Sequence, residues 1–255
     1  MNFAKSQKYW EETAQKQKKL KESLTHSDRY LPQLETSAIL SYISSGDSIL
    51  EIGCGACDNS IPYIKKCKNY TGVELIQAFV ELGRKRIREK SLNNAEIIPG
   101  DGYLYVLNKE ITQDVLVTQR FIINLKDRDT QLGFFRAIRE RNRGRKIKLI
   151  ICEGFEKELR NLNKFRKIAG LEEIRIAEYN NFLDYRFLRD VEEIGYRIVD
   201  EVAFNTYFLI TRLFNNNKFA KPGSEIAKIA FSLEKEKFIK IDREVSYSKI
   251  FVLEI

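Results

Sequence analysis

The segment Ser48-Ile-Leu-Glu-Ile-Gly-Cys-Gly-Ala-Cys-Asp-Asn59 decides how the chain is read. Ile49, Leu50 and Ile52 around Glu51 form an apolar run that reads as a strand, and it breaks into Gly53 and Gly55 before a helix-compatible stretch opens near Asp58. Glycines suit such a turn because the backbone must bend sharply and let a ligand approach closely. The amides that open the next helix add donors and a partial positive charge. Strand, tight turn and helix in this order read as a cofactor loop. A dinucleotide fingerprint would want its third glycine where Asp58 stands, and an acid there repels a pyrophosphate.

Moving outward, Tyr70–Leu75 (YTGVEL) reads as the second strand, with Glu74 near its end. An acid about twenty residues beyond the glycines can accept both ribose hydroxyls of an adenosine, one on each oxygen. Ala95–Pro99 gives a third strand and Gly100-Asp101-Gly102-Tyr103 a turn. Asp114–Val117 (DVLV) gives a fourth, entering Thr118-Gln119-Arg120 and a helical continuation from Phe121. Ile147–Cys152 gives a fifth, ending at Glu153, and the periodic apolar residues of Leu34–Ile43 give the helix before the first strand. Open parallel sheets bind ligands outside the carboxyl ends of their strands. Gln119, Arg120 and Asn124 are therefore the acceptor-side candidates.

With Glu51, Gly53, Gly55, Glu74 and Asp101 in these places, the sequence resembles the class I S-adenosylmethionine-dependent methyltransferases, whose first motif reads acid-x-Gly-x-Gly-x-Gly. Cys57 stands where that motif has its last glycine. The resemblance implies an α/β fold: a Rossmann-like, seven-stranded, mostly parallel sheet in the order 3-2-1-4-5-7-6, with an N-terminal helical cover and a C-terminal lid insertion. It implies S-adenosyl-L-methionine as cofactor, which has no phosphate and whose ammonium suits Glu51. Glu51, Gly53, Cys54, Gly55, Glu74, Leu75, Asp101, Gly102, Gln119 and Tyr30 would contact that cofactor, with Glu74 on the ribose and Asp101 on the adenine amine. The Asn/Asp-Pro-Pro-aromatic tetrapeptide of many amino-methylating DNA enzymes is absent. A looser similarity to bacterial surface-glycan and small-metabolite methyltransferases would bring Asn163, Arg166, Tyr179 and Asn180 to the acceptor beside Arg120 and Asn124.

The 255 residues, 43% of them hydrophobic, suffice for one domain with an added cover. The division expected is a cover over residues 1–33 and a methyltransferase domain over 34–255, with a helical insertion over 205–248 before a last strand at Lys249–Ile255. Leu183–Ile194 reads as a helix, Tyr196–Phe204 as strand six and Thr206–Asn215 as a helix. No apolar run reaches about 18 residues and the N-terminus is polar, so a cytoplasmic protein without membrane insertion is expected. The four cysteines form no framework: Cys54 and Cys57 have the C-x-x-C spacing but lack a second pair or histidine cluster. No metal is expected.

Arg120 is read as a catalytic and acceptor-binding residue. If the acceptor is a hydroxyl it needs a base, for which Glu153, Asp184 and His26, the only histidine, are the candidates. A small polar or glycan-related acceptor is the leading expectation. The net charge of +8 keeps an RNA acceptor as an alternative, and a peptide acceptor is a further one.

Overall fold

The computed structural model describes residues 2–20, 28, 30–142, 144–214, 224–237 and 244–255. Seven strands, β1 (Ser48–Ile52), β2 (Asn69–Glu74), β3 (Ala95–Pro99), β4 (Val115–Gln119), β5 (Lys148–Gly154), β6 (Arg197–Ala203) and β7 (Ser248–Glu254), form one sheet in the order β3-β2-β1-β4-β5-β7-β6. The first five run parallel, and β7 lies antiparallel between β5 and β6. This is the sheet expected from the sequence. The strand order reverses between β1 and β4, which opens a crevice at their carboxyl ends.

Side chains alternate across this sheet as a two-residue period requires. Ile49, Ile150, Cys152, Ile250 and Val252 point into one core. It is completed by α2 (Leu31–Ser41), α3 (Ile61–Lys66), α4 (Gln77–Glu89), α7 (Glu156–Ile168), α9 (Asn205–Leu209) and α10 (Glu225–Lys235). Leu50, Leu149, Ile151, Phe251 and Leu253 point into the other, under α5 (Gly102–Asn108), α6 (Arg128–Arg141) and α8 (Tyr185–Ile194). The remaining helix, α1 (Asn2–Leu20), packs on α4, where its Ala14 is buried against Ile76, Ala78 and Phe79.

Two local expectations are corrected. The helix expected from Phe121 does not run on: a 3-10 turn (Ile122–Asn124) ends at extended Leu125, and Asp127 then caps α6 by accepting from the Thr130 amide at 2.9 Å. The turn at Gly100–Tyr103 is the start of α5, because Asp101 accepts from the Tyr103 and Leu104 amides and so caps it. Between β6 and β7, α9 runs into a π-helical turn (Ile210–Phe214), and α10 packs against both and against α2. Residues 215–223 and 238–243 of the expected insertion lie outside the described residues.

Candidate functional site

After β1 the backbone enters the left-handed region three times in five residues: Gly53 at φ +74°, Gly55 at +56° and Cys57 at +59°. The position where the motif has its last glycine thus keeps the glycine-like conformation with a cysteine in it. Room for the two sulfurs comes from glycines elsewhere. A Cβ on Gly72 would stand 2.7 Å from the Cys54 sulfur, and one on Gly83 would stand 3.3 Å from that of Cys57. All four cysteines are buried free thiols, and among the described residues no group of metal-ligating side chains could hold a metal ion.

Two buried carboxylates fix the loop. Glu74, at the end of β2, accepts from the Gly55 amide on Oε2 and from the Ile76 amide on Oε1, both at 2.8 Å. Burial raises its pKa. Glu51 accepts from Ser60 Oγ at 2.5 Å and Tyr70 OH at 2.6 Å, both on Oε2, and burial pushes its carboxyl up to about 7. Asp58, the acid that argued against a dinucleotide, is ion-paired with Arg86 at 2.7 Å.

These residues open onto one cavity at the carboxyl ends of β1, β2 and β4. Its lining includes Glu51, Gly53, Cys54, Glu74, Leu75, Asp101, Gly102, Gln119, Arg120 and Asn124. Gly55 adjoins it through its bond to Glu74. The floor tolerates no bulk at two glycines: a Cβ on Gly102 would overlap the Ile52 side chain, and one on Gly53 would come within 3.1 Å of Phe121. Gln119 is held between Asn59, whose Nδ2 it accepts at 3.3 Å, and the Tyr63 hydroxyl, to which it donates at 2.5 Å.

The sequence reading missed two lining residues, Gln7 and Trp10 of α1. Trp10 donates its indole N–H to Asn124 Oδ1 at 3.3 Å and meets Phe79 edge-on at 6.5 Å. Tyr9 stacks on Tyr179 at 4.5 Å, tying α1 to the segment before α8. Only the sparse aromatic stripe of α1 signalled this. The described residues of 205–248 contribute nothing to the lining, whereas α1 contributes Gln7 and Trp10.

Other candidates lie elsewhere. Glu153 is fully buried and takes up Thr118 Oγ1 and the amides of Phe121 and Ile122 on Oε1, so it braces the turn after β4 and does not face the cavity. Asp184 caps α8 and pairs with Arg128. Asn163 is occupied on both sides by the Ile174 backbone, and Arg166 donates to the carbonyls of Glu172 and Arg212. Tyr30 packs against Phe231 of α10, 5.5 Å between rings, and is absent from the lining. Asn180 also lies outside it, with a buried Oδ1 that takes no hydrogen bond. His26 is outside the described residues.

No protein-family model matches the chain, and no curated protein matches it by sequence. Solved structures match in fold. Magnesium protoporphyrin IX methyltransferase (ChlM) from Synechocystis PCC 6803, with bound SAM, superposes with a TM-score of 0.60 at 10% identity over 100% of this chain and 97% of that one. A SAM-dependent methyltransferase from Aquifex aeolicus gives 0.54 at 13% identity over 94% and 97%. The [4+2]-cyclase SpnF gives 0.56 at 13% identity over 88% and 80%. The chain has the Rossmann-like fold of the class I S-adenosylmethionine-dependent methyltransferases. A cyclase with the same fold makes plain that the chemistry has to be argued from the site.

Proposed function

We propose that the protein is an S-adenosylmethionine-dependent methyltransferase acting on a small polar acceptor of sugar or glycan type. The observation that carries the reading is one cavity in which Glu51, Glu74 and Asp101 surround two glycines held at positive φ. That set fits an adenosyl amino acid. Glu74 keeps acceptor capacity for the ribose hydroxyls, Asp101 has Oδ2 left for an exocyclic amine, and Glu51 suits an ammonium. Nothing in the lining is arranged for a pyrophosphate.

Bound there, the cofactor would supply an already electrophilic methyl group. The chain's own part is to hold the acceptor in line, exclude water and keep the loop rigid. Positioning of this kind supplies roughly 7 to 11 kcal/mol of a barrier, which accounts for a site whose described residues form no triad. Arg120 and Asn124 stand at the acceptor end. An RNA acceptor is the second reading, favoured by the net charge of +8.

S-adenosylhomocysteine should raise the Tm and NADH should not. Labelled S-adenosylmethionine added to a cytoplasmic extract should then deliver its methyl group to the small-molecule or glycolipid fraction. Label in RNA would replace the first reading by the second, and a shift with NADH alone would remove both.

A further inference from the structure

Arg120, in the cavity wall, has both its backbone and its side chain pinned. It follows β4 at φ +55°, a conformation a non-glycine residue adopts at a cost and keeps only where its surroundings enforce it. The enforcement is visible. Its amide donates to the Cys152 carbonyl at 2.9 Å, and its own carbonyl accepts from Asn124 Nδ2. Its Nη1 reaches both oxygens of Glu35, at 3.0 and 2.8 Å. Glu35 is fully buried in α2 and is itself fixed by Ser248 Oγ of β7 at 2.6 Å. The backbone of Arg120 is thus held by Cys152 and Asn124, and its guanidinium by Glu35, which Ser248 fixes in turn.

A buried ion pair can be purely structural, but this one is lopsided. The Glu35 side chain is 0% exposed and that of Arg120 is 26% exposed, at the cavity wall. Among the described residues no protein group accepts from Nε or Nη2. That edge is the planar fork that matches a carboxylate or phosphate with two parallel hydrogen bonds. The Glu35 contact spends only Nη1 and fixes the direction in which the rest of the fork points.

We infer that the free edge of Arg120, oriented by Glu35 and Ser248, is an anion site of this cavity, taking a carboxylate or phosphate group from either the amino-acid end of the methyl donor or the acceptor. The inference rests on the methyltransferase reading for its two sources. It does not rest on it for the site itself. Glu35 and Ser248 are positioning residues, acting through the guanidinium.

Calorimetric titration of the full chain with S-adenosylhomocysteine and with its decarboxylated form, which lacks only the carboxylate, separates the sources. If the donor supplies the anion, Arg120→Gln weakens S-adenosylhomocysteine at least tenfold and leaves the decarboxylated form within twofold. Glu35→Gln then shrinks the difference between the two ligands without touching the weaker one. If the acceptor supplies it, Arg120→Gln leaves S-adenosylhomocysteine alone. Glucuronate or inorganic phosphate then raises the Tm of the wild type, where glucose does not, and this shift is lost in the variant. Should Arg120→Gln strand Glu35 and fail to fold, the double variant Glu35→Gln/Arg120→Gln, which removes both charges, carries the same readouts. A folded variant that matches wild type with every one of these ligands overturns the inference. A wild type that binds neither adenosyl compound sinks the methyltransferase reading instead, and the glucuronate and phosphate titrations still decide the anion site.

Discussion

Glu51 is where a single proton couples stability to ligand binding. Its carboxyl titrates near 4.5 in the unfolded chain and near 7 when folded, because burial outweighs the hydroxyls of Ser60 and Tyr70. The folded state therefore holds the extra proton between those values. Stability is fullest on the acid side and falls as pH rises from about 4.5 to about 7, at up to about 1.4 kcal/mol per pH unit. Thermal melts across that range should show the slope, and Glu51→Gln should lose it. Donor affinity should run the other way, rising as Glu51 ionises near pH 7, since an ammonium is matched only by the anion; calorimetry at pH 6 and 8 checks this. Cys57 gives a second test. At φ +59° a β-branched side chain is a severe misfit, so Cys57→Val should lower stability by about 2 kcal/mol or more in denaturant melts, whereas Cys57→Ala should cost less.

At the scale of elements, the sequence carried the strands and the glycine loop, since β1 to β5 are largely apolar runs, and all but β4, which runs into Gln119 and Arg120, end at a glycine or an acid. It was poorer at the turn after β4. Phe121 to Asn142 looks like one helix because its apolar residues recur at helical spacing, yet Asp127 is a better cap than an interior residue and divides it. Glu153 shows the same limit. A strand-end acid reads as a catalytic base in one dimension, and only the fold reveals the Phe121 and Ile122 amides that already occupy it. A cover from the N-terminal residues was expected, but not the lining places of Gln7 and Trp10, because Trp10 acts through Asn124, 114 positions away. Glu153→Ala should orphan those amides and cost roughly 2 to 4 kcal/mol, measured by urea unfolding. Glu153→Gln should keep most of both stability and turnover; a base would instead lose turnover with the Tm unchanged.

For the whole molecule, no helix among the described residues is long and apolar enough to cross a membrane. Part of the positive charge is carried on the outward face of α4, where Lys85 and Arg88 are exposed. A small-acceptor enzyme should hold its KM for the acceptor within a few-fold between about 50 and 200 mM salt, whereas an RNA-binding one should lose affinity by orders of magnitude. The position of β7 bears on how the molecule comes to exist at all. It follows every other described strand, yet it sits inside the sheet and bonds to both β5 and β6. While the ribosome is still making the residues before Ser248, β5 is a hydrophobic strand with a bare edge and β6 has nothing to join. Until β7 is made, the edges of β5 and β6 that it covers lack their partner, the kind of open edge that invites misassembly.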